Sequence, residues 1–162
     1  MTSRQPSQLA LIEALAAQKV DFLLIGGHAV GAHGFDRATK DVDIVPATDA
    51  ENLERLLKAL LELEAQMEPI DIPEHGEALS VEWLAQGGNF IFETRLGRLD
   101  VLQFVADMTY RELAANAVWA DLGDGLRVQV CAYEDLVRMK EAAGRDQDLV
   151  DLQRLREARE ES

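Results

Sequence analysis

Asp41 and Asp43 stand two residues apart in Asp41-Val-Asp-Ile-Val-Pro46, a short apolar run that reads as a strand closed by proline. On a strand this spacing places both carboxylates on one face and Val42 and Ile44 on the other. Neighbouring carboxylates repel, so the pair asks for water or a cation. Oxygen ligands suit Mg²⁺, which keeps part of its water and takes phosphate oxygens as further ligands. The plainer alternative is a strand with an acidic outer face. Asp100 is a third candidate, in Arg98-Leu-Asp-Val-Leu-Gln-Phe-Val105, a run apolar on both faces and therefore internal. An ionised aspartate there is costly without a partner, which would be either neighbouring amides, Arg98, or a cation shared with Asp41 and Asp43. Gly26-Gly27 ends the run Val20-Asp-Phe-Leu-Leu-Ile25. Glycine after a strand lets backbone approach a ligand closely, and the start of a following helix offers N–H groups to an anion, although a glycine pair also makes an ordinary tight turn. Lys140 follows Leu136 and Val137 by four and three residues and extends the apolar stripe of its helix. It either snorkels to solvent or faces a polar cavity, where it would neutralise phosphate. Arg145, Asp148 and Asp151 recur at three-residue steps, as an intrahelical ion pair or as part of the same site.

The elements that must hold these residues follow from periodicity and punctuation. A helix is expected over Gln8–Lys19, a strand over Val20–Ile25, a short helix over His28–Gly34 and a strand over Asp41–Pro46. Leu53, Leu56, Leu57, Leu60 and Leu61 mark a helix over Ala50–Glu64, with Asp49 as its cap. Pro69, Pro73 and Gly76 indicate a loop. Asn89–Thr94 and Leu99–Val105 read as a hairpin turning through Arg95-Leu-Gly-Arg98. A short helix near Tyr110–Asn116, strands at Val118–Leu122 and Leu126–Cys131, and helices at Tyr133–Ala143 and Asp146–Glu160 complete the chain. The expected class is α+β, a mixed sheet flanked by helices, as a single domain over residues 1–162.

Composition bounds the function. The chain has 162 residues, 48% of them hydrophobic and 28% charged, enough for one core. No apolar run approaches the roughly 20 residues of a membrane helix, and no signal-peptide pattern opens the sequence, so a cytoplasmic protein without membrane partners is expected. One cysteine, Cys131, excludes an internal disulfide and reads as a small buried residue. His28 and His33 lack a third ligand for zinc. Trp83, Phe90 and Phe92 read as core or as the mouth of a pocket. Thirty acidic against 16 basic residues give a net charge of −14, which opposes a broad nucleic-acid face but permits a local basic rim of Arg37, Lys40, Arg95 and Arg98.

Gly26-Gly27 followed by Arg37-Ala-Thr39-Lys40-Asp41-Val-Asp43-Ile44 resembles the signature of the DNA polymerase beta-like nucleotidyltransferase superfamily. The segment Lys140-Glu-Ala-Ala-Gly-Arg145-Asp-Gln-Asp148-Leu-Val-Asp151 is similar to the C-terminal pattern of its small bacterial and archaeal branch related to AbiEii-type toxins. The resemblance spans about Val20 to Leu155 and implies a minimal nucleotidyltransferase fold. It implies transfer of a nucleoside monophosphate from an NTP to a hydroxyl of RNA (a tRNA end, for example), a protein or a small molecule, with release of pyrophosphate. Asp41, Asp43 and Asp100 would bind two Mg²⁺ ions, or Mn²⁺ in their place, and Lys140 would act with them. Gly26, Gly27, Arg37, Thr39, Lys40, Arg145 and Asp148 would bind the nucleotide. A toxin role, with a cognate antitoxin as partner, belongs to the same expectation. The competing reading is a catalytically inactive antitoxin or assembly module of the same fold.

Overall fold

Among the described residues, seven strands form one mixed sheet in the order β3-β4-β5-β2-β1-β7-β6. The computed structural model describes residues 5–68 and 79–161, so the loop expected around Pro69, Pro73 and Gly76 lies outside the described residues. The elements run α1 (Pro6–Ala17), β1 (Phe22–Ile25), α2 (Gly26–Ala32), β2 (Asp41–Pro46), α3 (Ala50–Glu62), β3 (Gln66–Met67) and α4 (Val81–Ala85). They continue with β4 (Asn89–Thr94), β5 (Gly97–Leu102), α5 (Tyr110–Asn116), β6 (Val118–Asp121), β7 (Arg127–Val130), α6 (Tyr133–Ala143) and α7 (Asp146–Glu160). This is the expected α+β architecture. Among the described residues no helix is long and apolar enough to cross a membrane.

The centre of the sheet is fixed by strands too apolar to face water. All four residues of β1 are buried, and Val42, Ile44 and Val45 of β2 are fully buried. β1 pairs antiparallel with β2, setting Ile25 opposite Asp43, and β2 pairs parallel with β5. A buried asparagine holds the base of this β1–β2 pair. Asn52, at the start of α3, accepts from the Asp21 N–H at 2.7 Å and donates to the carbonyls of Asp21 and Ala47 at 2.9 and 2.7 Å. Asp49 caps the same helix as expected, accepting from the Asn52 N–H at 3.1 Å. Asn52→Leu takes away the side-chain partner of the Asp21 N–H and of the buried Ala47 carbonyl, while the Asp21 carbonyl keeps the Ala47 N–H at 3.0 Å. The substitution is expected to cost about 3 kcal/mol, read as a lower urea midpoint at unchanged slope.

Three local expectations are corrected. The hairpin turns through Arg95-Leu96 alone, because Thr94 and Gly97 pair directly and the Thr94 hydroxyl accepts from the Leu96 N–H at 3.0 Å. Arg98 therefore lies inside β5 rather than in the turn. That strand also ends at Leu102 instead of Val105, where Gln103 turns to donate to the Leu84 carbonyl at 2.9 Å. Ala106 and Asp107 then take positive φ in a tight turn closed by a Val105–Met108 bridge. Finally, α2 begins at Gly26 itself, two residues before the expected start.

Candidate active site

β2 and β5 run side by side, so their same-face residues form rows. Asp41 is opposite Arg98, and Asp43 is opposite Asp100. The three carboxylates therefore share one face of the sheet, one strand-step apart. Asp43 and Asp100 share a hydrogen bond, and burial, followed by the charges of Asp100 and Asp41, pushes Asp43 up from the ordinary 3.8 to about 7. Lys140 pulls in the opposite direction and is outweighed.

Arg98 is the resident counter-charge. Its Nε lies 2.8 Å from Asp100 Oδ1 and 3.6 Å from Asp41 Oδ1, and a terminal nitrogen reaches Asp100 Oδ2 at 3.2 Å. These bonds hold its guanidinium all the more firmly protonated. Both Asp100 oxygens are thereby engaged. Among the described residues no group of three or more His, Cys, Asp or Glu side chains is arranged to hold a metal ion with Arg98 in this position.

Gly26 and Gly27 lie against this row because nothing larger fits. A Cβ at Gly26 would overlap Asp43 Oδ2, and the residue sits at φ +66°, where a side chain is strained. A Cβ at Gly27 would lie 2.6 Å from Thr39 Oγ1 and 2.7 Å from Thr39 Cβ. The glycines thus bring backbone to within contact of the acidic pair and of the segment leading into β2.

Lys140 is buried, as its place on the apolar stripe implies, with its side chain 8% exposed. It is not a lone ammonium. Its Nζ sits 3.0 Å from Asp148 Oδ1 and 3.0 Å from Asp151 Oδ2. Arg37 clasps Asp151 through two nitrogens at 2.8 and 2.9 Å, and Arg145 Nε meets Asp148 Oδ2 at 2.8 Å. Burial raises both aspartates, but hydrogen bonds to Asp148 from Arg145 and Lys140, and to Asp151 from Arg37 and Lys140, overcome it and hold both below the ordinary range. Three cations against two carboxylates leave one positive charge beside the three-aspartate face.

These groups surround one cavity of about 440 Å³, lined by Gly26, Gly27, the segment Arg37–Asp41, Asp43, Arg98, Asp100, Lys140, Arg145, Gln147 and Asp148. Every residue expected to bind nucleotide or metal lines it, whereas Asp151, grouped with Arg145 and Asp148, does not. Arg95, grouped with that rim, does not either; its Nε turns to the Glu62 carbonyl at 3.3 Å, at the end of α3. Gln147 was not anticipated and donates to Asp151 Oδ1 at 2.8 Å. The other candidates are structural. The His33 ring bonds the Cys131 carbonyl at 2.8 Å, Cys131 is fully buried with its thiol pushed up to about 12, and Trp83 and Phe90 stack at 4.2 Å beside the fully buried Phe92.

No protein-family model matches the chain, and no curated protein matches it in sequence. Solved structures do. The lincosamide antibiotic adenylyltransferase LnuA superposes with a TM-score of 0.65 at 13% identity, covering 94% of this chain and 96% of that one. The antibiotic-resistance factor ANT(2'')-Ia gives 0.60 at 17% identity, over 94% and 83% of the two chains. An antigenic nucleotidyltransferase-like protein from Paracoccidioides brasiliensis gives 0.57 at 18%, over 90% and 72%. The chain shares the fold of these nucleotidyltransferases.

Proposed function

We propose that this protein transfers a nucleoside monophosphate from a nucleoside triphosphate to a hydroxyl group and releases pyrophosphate. The observation that carries the reading is the register pair Asp43–Asp100 on parallel strands, flanked by Asp41 and pressed against glycines that admit no side chain. In this reading the triphosphate lies in the cavity of about 440 Å³, basic in that its five basic side chains outnumber its four carboxylates. Arg37, Lys40 and Arg145 offset its charge, and backbone at Gly26 and Gly27 approaches its oxygens. Lys140, tied to Asp148 and Asp151, fixes the Arg37 and Arg145 side chains through their shared aspartates and lends its field to Asp43. The acceptor oxygen forms a bond to the α-phosphorus, the bond to the pyrophosphate oxygen breaks, and the hydroxyl proton passes to Asp100.

The donors fit a hard divalent cation. They offer only carboxylate oxygen, and the raised Asp43 marks an excess of negative charge that Arg98 offsets only in part. Asp41 and Asp43 would hold Mg²⁺ or Mn²⁺, with Asp100 joining as Arg98 releases it, and the ions would supply Lewis-acid charge at the phosphates. A small-molecule acceptor is favoured over a long RNA. The net charge of −14 weighs against an extended phosphate footprint, and the similar folds include LnuA with lincomycin and ANT(2'')-Ia with adenylyl-2''-tobramycin. A toxin role rests only on the likeness of the Lys140–Asp151 segment to AbiEii-type proteins.

The test is incubation with each α-labelled NTP, Mg²⁺ and a panel of hydroxyl-bearing acceptors. Label transfer that disappears in Asp43→Ala supports the enzyme. No transfer together with no Mg²⁺-dependent NTP binding overturns it in favour of an inactive module. Gly27→Ala provides a second check. The added methyl must push Thr39 and the approach to β2 aside, and a displacement near 1 Å is expected to cost about a hundredfold in transfer rate. Thr39→Ala does not relieve that loss, because its Cβ is itself 2.7 Å from the new atom, whereas Thr39→Gly restores much of it. Equal rescue by both would place the effect elsewhere.

A further inference from the structure

A second cavity, of about 280 Å³, shares Gly26, Asp43, Asp100, Lys140, Arg145 and Asp148 with the first. Its own walls are different in kind. Ile25, Leu102, Val105, Leu136, Met139 and Ala143 line it, from the ends of β1 and β5, the tight turn after β5, and α6. The strands give the relation between the two spaces. Along one face of β5, Arg98 lines only the basic cavity, Asp100 lines both, and Leu102 lines only the apolar one. On β2, Asp41 lines only the basic cavity and Asp43 lines both. Residues two apart on a strand are separated by roughly 6.5–7 Å, so the two cavities follow one another along the strand direction with the Asp43–Asp100 row between them.

In-line displacement at phosphorus places the leaving and entering oxygens on opposite sides of the transferring group. With the pyrophosphate in the basic cavity and the α-phosphorus at the carboxylate row, the entering hydroxyl comes from the far side. We infer that the apolar cavity is the acceptor subsite, and that the acceptor is a small molecule whose reactive hydroxyl is attached to an apolar body. This inference rests on the transfer reaction proposed above and names the substrate class for it. A volume of about 280 Å³ is at the small end of ligand pockets, so it receives the hydroxyl-bearing part of the acceptor and not a large molecule whole. The six side chains peculiar to this cavity are apolar, so beyond the charged groups it shares with the first cavity it offers nothing to the phosphates and sugars of a nucleic-acid end. In the step itself the acceptor O–P bond forms, the P–O bond to pyrophosphate breaks, and Asp100, which borders both spaces, takes the proton.

Met139 is a probe in the cavity lining, and Met67, on the edge strand β3 and outside that lining, is a control. The full chain is labelled with [¹³C-methyl]methionine and saturated with Mg²⁺ and the α,β-methylene analogue of the NTP that binds most tightly. It is then titrated with 2-phenylethanol or with glycerol. The Met139 methyl, assigned through Met139→Leu, is expected to respond to 2-phenylethanol about tenfold more tightly than to glycerol, with Met67 unmoved. Val105→Trp fills the cavity and is expected to abolish that response while leaving analogue affinity within about twofold. Ala143→Phe, at an exposed position on the cavity rim, does the same without burdening the core. If the analogue alone excludes the alcohol, or both variants weaken the analogue as much as the alcohol, the nucleobase occupies the cavity and the inference fails. It also fails if Met139 ignores 2-phenylethanol. Failure of every NTP analogue to bind with Mg²⁺ instead overturns the transfer reaction, and the subsite with it.

Discussion

Asp43→Asn is expected to lower nucleotidyl transfer by about 10³-fold and, in the same protein, to raise stability above neutral pH. The two effects share a cause. Asp43 is packed against Asp100 and near Asp41, and burial together with their charges moves its titration from the ordinary 3.8 to about 7. Between those values the folded chain holds a proton that the unfolded chain releases, so stability falls as pH rises through the window. Below about 3.8 both states are protonated and there is no penalty; above about 7 the penalty is complete. Asparagine does not titrate. The melting temperature of Asp43→Asn, minus that of the unmodified chain, should therefore be small at pH 4, grow to pH 7 and level off beyond. Scanning calorimetry from pH 4 to 8 in the presence of chelator reads this directly. Added Mg²⁺ should narrow the difference at pH 8 by giving the carboxylates a counter-charge. A pH-independent difference would refute the repulsion account.

Much of this site was visible in the sequence because strand geometry is simple. Period two puts Asp41 and Asp43 on one face whatever the rest of the chain does. The apolar flanks of Asp100 mark β5 as internal, which confines it to the neighbourhood of other central strands. Gly26 and Gly27 were legible as a close approach, though not what approaches them; the Thr39 side chain beneath Gly27 is a tertiary fact. What escaped was how charges partition among partners. Arg98 could be read as bonded to Asp100, but its reach to Asp41 depends on the parallel register of β2 and β5. Lys140 was legible as buried and not as doubly paired, because α7 must fold back on α6 before Asp148 and Asp151 can meet it. β3 and α4, of two and five residues, are too short for any periodicity to show. The end of β5 was overestimated because Gln103 leaves the strand to satisfy a carbonyl in α4, a choice that local propensity does not record.

That buried ion cluster carries a large expected stability effect. Lys140→Met removes the ammonium between two carboxylates whose side chains are 1% and 0% exposed. Stranding a buried charge costs about 3–5 kcal/mol, and because Arg145 and Arg37 still serve Asp148 and Asp151 the low end, about 3 kcal/mol, is expected. In a chain of this length that corresponds to a fall of roughly 6–12 °C in melting temperature. A double-mutant cycle separates the pair from the general cost of changing a buried residue. Asp148→Asn in the Lys140→Met background removes a charge that has lost a partner, so the double variant should be less destabilised than the sum of the singles. The cycle also has a defined pH dependence. Both aspartates titrate below the ordinary range in the folded state, so their contribution is present above about 3.8 and disappears as pH falls through their lowered values. The coupling should be full at pH 7 and absent in strong acid. Lys140 also opposes the rise at Asp43, so its loss should move the Asp43 stability window to higher pH. An additive cycle at pH 7, or an unmoved window, would mean that this lysine neither holds the cluster together nor reaches the acidic row.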